Sequence, residues 1–211
     1  MQDAILKALN WRYAVKTFNP DKKITKEELK TILESARLAP SSIGIEPWKF
    51  IVVENKELRT KMRAASYDQS KVTDAAHIIV IARRTDVREN IARELLERTS
   101  KAHQKNHEEF EGLKQMVEGS IARQSDEQLD IWAKGQTYIP LGMMIETAAL
   151  LGIDAGPMEG FNAAEIDKIL GLKEKHLAAS SMLAIGGRGE DPSADRPKVR
   201  RNFDDVIEFI K

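Results

Sequence analysis

Between Leu38 and Val53 the chain writes a helix end, a loop and a buried strand in immediate succession: Leu-Ala-Pro-Ser-Ser-Ile-Gly-Ile-Glu-Pro-Trp-Lys-Phe-Ile-Val-Val. Pro40 has no N–H to donate and a fixed φ, so the amphipathic helix before it has to stop. Ser41, Ser42 and Gly44 then form a loop of small residues, through which a ligand's polar edge can approach the backbone. Pro47 ends the loop, and Trp48, Phe50, Ile51, Val52 and Val53 read as a buried strand. Helices that alternate with a few such strands imply an α+β or mixed α/β layer arrangement.

Bulk properties remove several classes of function. At 211 residues the chain can bury one sizeable core, or form a subunit whose core a partner completes. Its 33 basic and 33 acidic residues cancel, which gives no general electrostatic reason to bind nucleic acid or anionic lipid. With no cysteine, disulfides, thiol redox chemistry and thiolate metal sites are excluded. The start, Met-Gln-Asp-Ala, lacks the basic and apolar regions of a signal peptide. The most apolar stretch, Ile139 to Ile153, is too short to span a bilayer and contains Glu146. A cytoplasmic protein without membrane or nucleic-acid partners is expected, with residues 1–211 as a single domain. Gly-x-Gly-x-x-Gly, a P-loop, a Ser-His-Asp set and paired carboxylates are all missing.

In order, the pattern predicts a short helix over Asp3–Leu9, an extended Trp11–Phe18 with Arg12 and Lys16 on one side, and a helix opened by the Thr25/Glu28 capping box. After the Trp48 strand come a helix over Lys56–Ala65 and a second buried strand, Ile78–Ala82. Residues from Val87 to about Ser120 are charged and helical. His103 and His107 stand at metal-ligand spacing on that stretch, but without a third ligand they read as a solvated helix face. The Ser125/Gln128 capping box begins one long helix through Leu151, kinked at Pro140 and apolar on nearly every side in its second half. Gly152–Asn162 reads as a turn-rich connection, and Asn162 and Gly171 bracket another helix. Leu177–Ile185 is a third strand, and Phe203–Ile210 suggests a last one.

Four segments, in order, resemble the FMN-dependent nitroreductase family: Arg-x-x-x-Lys-x-Phe from Arg12, Pro-Ser-Ser-x-Gly-x-x-Pro-Trp from Pro40, Pro-x-Glu-Gly-Phe from Pro157, and Lys-x-Arg from Lys198. The resemblance implies a central mixed, mostly antiparallel sheet flanked by helices, in a homodimer that exchanges its C-terminal strands. It implies that Arg12, Lys198 and Arg200 surround the FMN phosphate, that Lys16 approaches the flavin pyrimidine edge, and that Tyr13 and Ala14 also contact the cofactor. Ala14 departs from the serine many relatives carry. Pro40, Ser41, Ser42 and Gly44 would cover the flavin from the other subunit. The pyrimidine edge would meet Asp68, Gln69 and Lys71. Asp68 occupies a position where the family has an amide, and a carboxylate can accept from N3–H but cannot donate to a carbonyl. Pro157 would lie against one face of the isoalloxazine, Met158 would also belong to the cofactor site, and the Glu159 and Gly160 N–H groups would address N5 and O4. Residues 87–125 would form the variable helical lid.

The implied activity is transfer of hydride from NAD(P)H to FMN and onward to nitroaromatic or quinone acceptors by a ping-pong mechanism. A specialised flavin enzyme of the same fold, a dehalogenase or a flavin-fragmenting enzyme, is the nearest rival. A non-enzymatic helical binding module is the distant one.

Overall fold

The computed structural model describes all 211 residues. Its centre is a four-stranded sheet of β1 (Trp48–Val53), β2 (His77–Arg84), β3 (Asp154–Met158) and β4 (Leu177–Gly186), in the order β1-β2-β4-β3. All three pairings are antiparallel. The sheet is thus mostly antiparallel, as expected, and its parallel component is a single isolated bridge, Ala14 to Ala155. The α+β class stands.

Both faces of β2 and β4 are buried, and the period of two sorts their side chains. Ile78, Val80, Ala82, Met182 and Ala184 face one core with Met62, Val72 and Ile166. That layer is covered by α3 (Lys56–Ala64), α4 (Lys71–Asp74) and α9 (Ala163–Leu170). Ile79, Ile81, Leu183 and Ile185 face the other core with Ile32, Met144 and Ala148. These come from α2 (Lys26–Arg37), which opens with the expected Thr25/Glu28 capping box, and from α8 (Tyr138–Leu150). A third core joins α5 (Val87–His103), α6 (Glu111–Ala122) and α7 (Asp126–Gln136), and Ile45 of the Ser41–Glu46 loop is buried in it. No helix is long and apolar enough to cross a membrane.

Three expectations are corrected by the tertiary structure, and one is not met within a single chain. The long kinked helix is two helices, α7 and α8, meeting at Thr137. Pro140 falls in the first turn of α8, where its missing N–H costs no ladder bond, and the Thr137 hydroxyl donates to the Lys134 carbonyl at 2.6 Å. Asp154–Met158 is a strand within the supposed connection. Its Asp, Gly and Pro are poor strand formers, and pairing with β4 overrides them; Pro157 is tolerated because β3 is a sheet edge. The Phe203–Ile210 strand is absent from the single chain. Phe203–Asp205 is a 3-10 turn, and Phe209 and Ile210 are exposed with no strand beside them. Finally, His103 ends α5 and His107 begins a separate 3-10 turn, so the two do not share a helix face.

The first helix, α1 (Gln2–Trp11), buries only Ala8, while Leu6, Leu9 and Trp11 are exposed. Beyond it, residues 14–19 run extended along the sheet edge. The Val15 N–H donates to the Ala155 carbonyl at 3.2 Å, and Asn19 N–H to the Gly187 carbonyl at 2.9 Å.

Gly156 is what lets this segment lie so close, since a Cβ there would stand 2.5 Å from the Val15 carbonyl oxygen. Gly156→Ala should lower unfolding stability by about 1–3 kcal/mol in urea titrations. Gly119→Ala, in α6 with nothing within 4 Å of the added carbon, should raise it by about 0.5–1 kcal/mol. Equal effects from the two would show that the close approach does not constrain residue 156.

Candidate functional site

At Arg12 the chain leaves α1: its N–H still donates to the Ala8 carbonyl at 3.0 Å, but φ −67° and ψ 143° are already extended. The following segment is fixed by β3 on one side and by the chain near Asp191 on the other. Asp191, buried, accepts from the Lys16 N–H at 3.0 Å, the Tyr13 hydroxyl at 3.1 Å and the Ser193 N–H at 2.9 Å. Burial alone would raise its pKa, but these donors hold it down at about 2, and it is ionised at neutral pH. Burial and the same bond push Tyr13 up to about 12, so its hydroxyl stays a donor.

These anchors bring Arg12, Tyr13 and Ala14 to one cavity with Lys198 and Arg200, a space of about 360 Å³. The Arg12 Nε is buried and has no partner. Burial, and then the nearby Arg200, lowers the Arg12 pKa; burial, Arg12 and Arg200 lower that of Lys198. Lys198 does more than face this space. Its ammonium donates to the Leu9 carbonyl at 2.9 Å and to the Arg12 carbonyl, closing the C-terminus of α1. None of the ion pairs in the chain includes Arg12, Lys16, Lys71, Lys198 or Arg200. Positive charge is gathered here without a neutralising carboxylate, an arrangement suited to an anion from outside the chain.

A second group lies around Gly160. Gln69 donates its amide to the Gly160 carbonyl at 2.7 Å and to the Ser66 carbonyl at 3.0 Å, which leaves its own carbonyl oxygen as a free acceptor. The Glu159 and Gly160 N–H groups donate to no backbone acceptor. Lys71 is buried, and burial followed by repulsion from Lys16 lowers its pKa. The Asp68 carboxylate is instead taken up by Arg63 at 2.7 Å. Met158 is buried in the core, so only its backbone faces outward, whereas Pro157 is half-buried.

The Pro40–Gly44 loop is not joined to either group by any hydrogen bond. It belongs to the third core instead. The Ser42 N–H donates to Gln136 Oε1 at 2.8 Å, Arg98 pairs with Glu46 at 2.6 Å and donates to the Gly44 carbonyl at 3.2 Å, and Ser41 Oγ accepts from the Glu46 N–H at 2.8 Å. Ile43 and Glu46 have φ of 58° and 49°, so these ties hold a strained backbone.

Sequence reasoning missed Asp191, Gln136, Arg98 and Arg188, because each acts through a partner far away in the chain. Arg188 lies over the Trp11 and Tyr13 rings, 4.6 and 4.8 Å from their centres. Its backbone and guanidinium both donate to the buried Asp154, at 2.9 and 2.8 Å. Tyr67 was missed too: it is exposed with φ 54°, and its ring edge stands 4.0 Å from where a Cβ on Gly160 would lie. An exposed aromatic just before an Asp was the available signal, although left-handed backbone could not be read from it.

Comparison with known proteins gives four findings. A model of the nitroreductase family matches residues 9–187. A Staphylococcus saprophyticus protein named "putative NAD(P)H nitroreductase" is 36% identical, the match covering 100% of this chain and 99% of that one. The crystal structure of a nitroreductase family protein from Streptococcus pneumoniae superimposes with a TM-score of 0.80 at 25% identity, over 97% of this chain and 99% of that one. Another, a "putative nitroreductase in complex with FMN" from Exiguobacterium sibiricum, gives 0.83 at 20% identity, over 98% and 97%.

Arg188→Ala would leave the buried Asp154 carboxylate without its cation and remove the support under Trp11 and Tyr13. Unfolding stability should fall by about 3–5 kcal/mol in urea titrations. A fall below about 1 kcal/mol would mean that Asp154 is satisfied by other means.

Proposed function

Because the chain belongs to the nitroreductase family, we propose that it binds FMN and carries electrons from NAD(P)H to nitroaromatic or quinone acceptors by a ping-pong sequence. The observation that carries this reading is the buried, unpartnered Arg12 Nε in a cavity shared with Lys198 and Arg200. A terminal phosphate has close to two negative charges, and three cations with no internal counter-ion match it. The names of the staphylococcal relatives point to NAD(P)H, and the Exiguobacterium neighbour, solved in complex with FMN, points to the flavin.

When bound, FMN would supply the two-electron chemistry, taking hydride from the nicotinamide and passing the electrons on. The chain's residues hold and polarise it. Lys16 and Lys71 would favour negative charge at the pyrimidine edge, and the Gln69 carbonyl oxygen would accept from N3–H. The Glu159 and Gly160 N–H groups would donate at N5 and O4. With the redox step on the cofactor, no side chain is required as a general acid or base.

The separation of the Pro40–Gly44 loop from the cationic groups supports a homodimer in which each site takes that loop from the other subunit. Exposed Leu6, Leu9, Ile139, Leu150 and Leu151, and the apolar tail through Phe209 and Ile210, support a partner surface and an exchanged C-terminal strand. Residues 87–125 would be the lid over each site, on a single domain spanning 1–211.

The test is the cofactor itself. Flavin extracted from the purified protein should be FMN, and Arg200→Ala should weaken FMN binding by about 10–150-fold while barely changing riboflavin binding. FAD, or equal loss for both ligands, would overturn the phosphate reading. Reciprocal plots at several acceptor concentrations should be parallel, since both substrates use one flavin face in turn; intersecting lines would mean simultaneous binding. For the dimer, Arg12→Ala/Arg200→Ala chains paired with chains carrying bulky residues at Ser41 and Ser42 should recover about half the flavin content, because one of the two sites escapes every defect. No recovery would put the whole site in one chain.

A further inference from the structure

The cationic cavity is lined by two stretches of chain, within residues 10–14 and 193–200, and just beside it Asp191 joins them by bonds to Lys16 and Tyr13 that span 175 and 178 positions. Asp191 is bonded to the stretch that carries Arg12 and Lys16 and precedes the one that carries Lys198 and Arg200, and a carboxylate held there could pair with one of these cations. It does not. Oδ2 is occupied by the Lys16 N–H and the Tyr13 hydroxyl, and Oδ1 by the Ser193 N–H. The Asp191 carbonyl accepts from the Ala194 N–H at 2.9 Å, which turns the chain toward Lys198. Three neutral donors nearly fill the capacity of a carboxylate and leave little of it for a guanidinium or ammonium.

We propose that Asp191 is a positioning residue for the phosphate end of the cofactor, holding the Arg12–Lys16 segment against the 191–200 segment through neutral donors so that the cations stay unpaired. This rests on the FMN reading above. The arrangement separates two tasks that a salt bridge would merge. A carboxylate bonded to Arg12 or Arg200 would organise the cavity but cancel the charge that draws in an anion. A carboxylate bonded to backbone N–H groups and a phenol organises it while leaving the N–H donors of the cations free for the anion. Lys198 makes the complementary tie, joining its stretch to the α1 carbonyls. Without Asp191, the Lys198 bonds are the direct hydrogen bonds left between the two stretches, while β3 and Arg188 still hold the first of them.

The decisive quantity is the ratio of FMN to riboflavin affinity, measured by flavin fluorescence quenching on the flavin-stripped full chain alongside thermal unfolding. The two ligands differ only in the phosphate, so a general loss of stability moves both and leaves their ratio unchanged. In Asp191→Ala the ratio should fall by about tenfold or more, since charge-assisted bonds to the phosphate are lost when Arg12 and Arg200 drift apart. Asp191→Asn keeps the shape and one acceptor but turns an amide N–H₂ toward existing donors, so it should fall part of the way, and it decides the matter if the alanine variant does not fold. Tyr13→Phe, which removes one donor and keeps the ring over Arg188, should change the ratio least. An unchanged ratio in the asparagine and alanine variants, whatever happens to their melting temperatures, would make Asp191 a fold anchor only. A wild-type chain with no preference for FMN over riboflavin would refute the phosphate reading itself, before any variant is compared.

Discussion

Arg12 and Arg200 repel one another, and no carboxylate of the chain pairs with either. Holding like charges together in a partly buried place costs free energy, and much of the architecture supplies the constraint that makes it possible. Arg12 sits where α1 ends, Lys198 binds the last carbonyls of that helix, and Asp191 fastens the next four residues. Underneath, Arg188 and Asp154 tie the same region to β3. A flexible surface would let these cations separate into solvent.

The sheet is the rigid reference for these ties. β2 and β4 are buried on both faces, so they cannot shift without disturbing two cores at once. β3 adds the edge along which residues 14–19 lie, and its end delivers Pro157 to Gly160 beside Gln69. The third core is attached differently. Ile45 is buried within it, and Arg98 and Gln136 grip the same loop from α5 and α7. The Pro40–Gly44 loop is therefore part of the helical layer, and any movement of that layer carries the loop with it.

Local patterns settled most of the elements. Apolar runs located β1, β2 and β4, and side-chain caps at Thr25, Ser125 and Asn162 marked the starts of α2, α7 and α9, because a cap bond closes within three residues. The motifs at Arg12, Pro40, Pro157 and Lys198 likewise carried the family resemblance by their order alone. In each case the information lies within a few residues, and the physics that uses it is short-ranged.

Other features were decided only when distant segments met. Asp-Ala-Gly-Pro-Met becomes a strand because β4 offers it a ladder, against its own propensity. The tail's apolar residues stay unpaired in one chain, since a strand needs a neighbour and none is present. Gln69 rather than Asp68 faces Gly160, because Arg63 claims the carboxylate. Asp191 shows the limit most plainly: nothing in Glu-Asp-Pro-Ser distinguishes it from a surface aspartate, and its role exists only because Tyr13 and Lys16 arrive from the opposite end of the chain. The sequence by itself determined most of the helices, the three apolar strands and the identity of the charged residues. Tertiary structure decided which of those charges are neutralised and which are left free, because hydrogen bonding across such separations depends on the packed arrangement of the whole sheet.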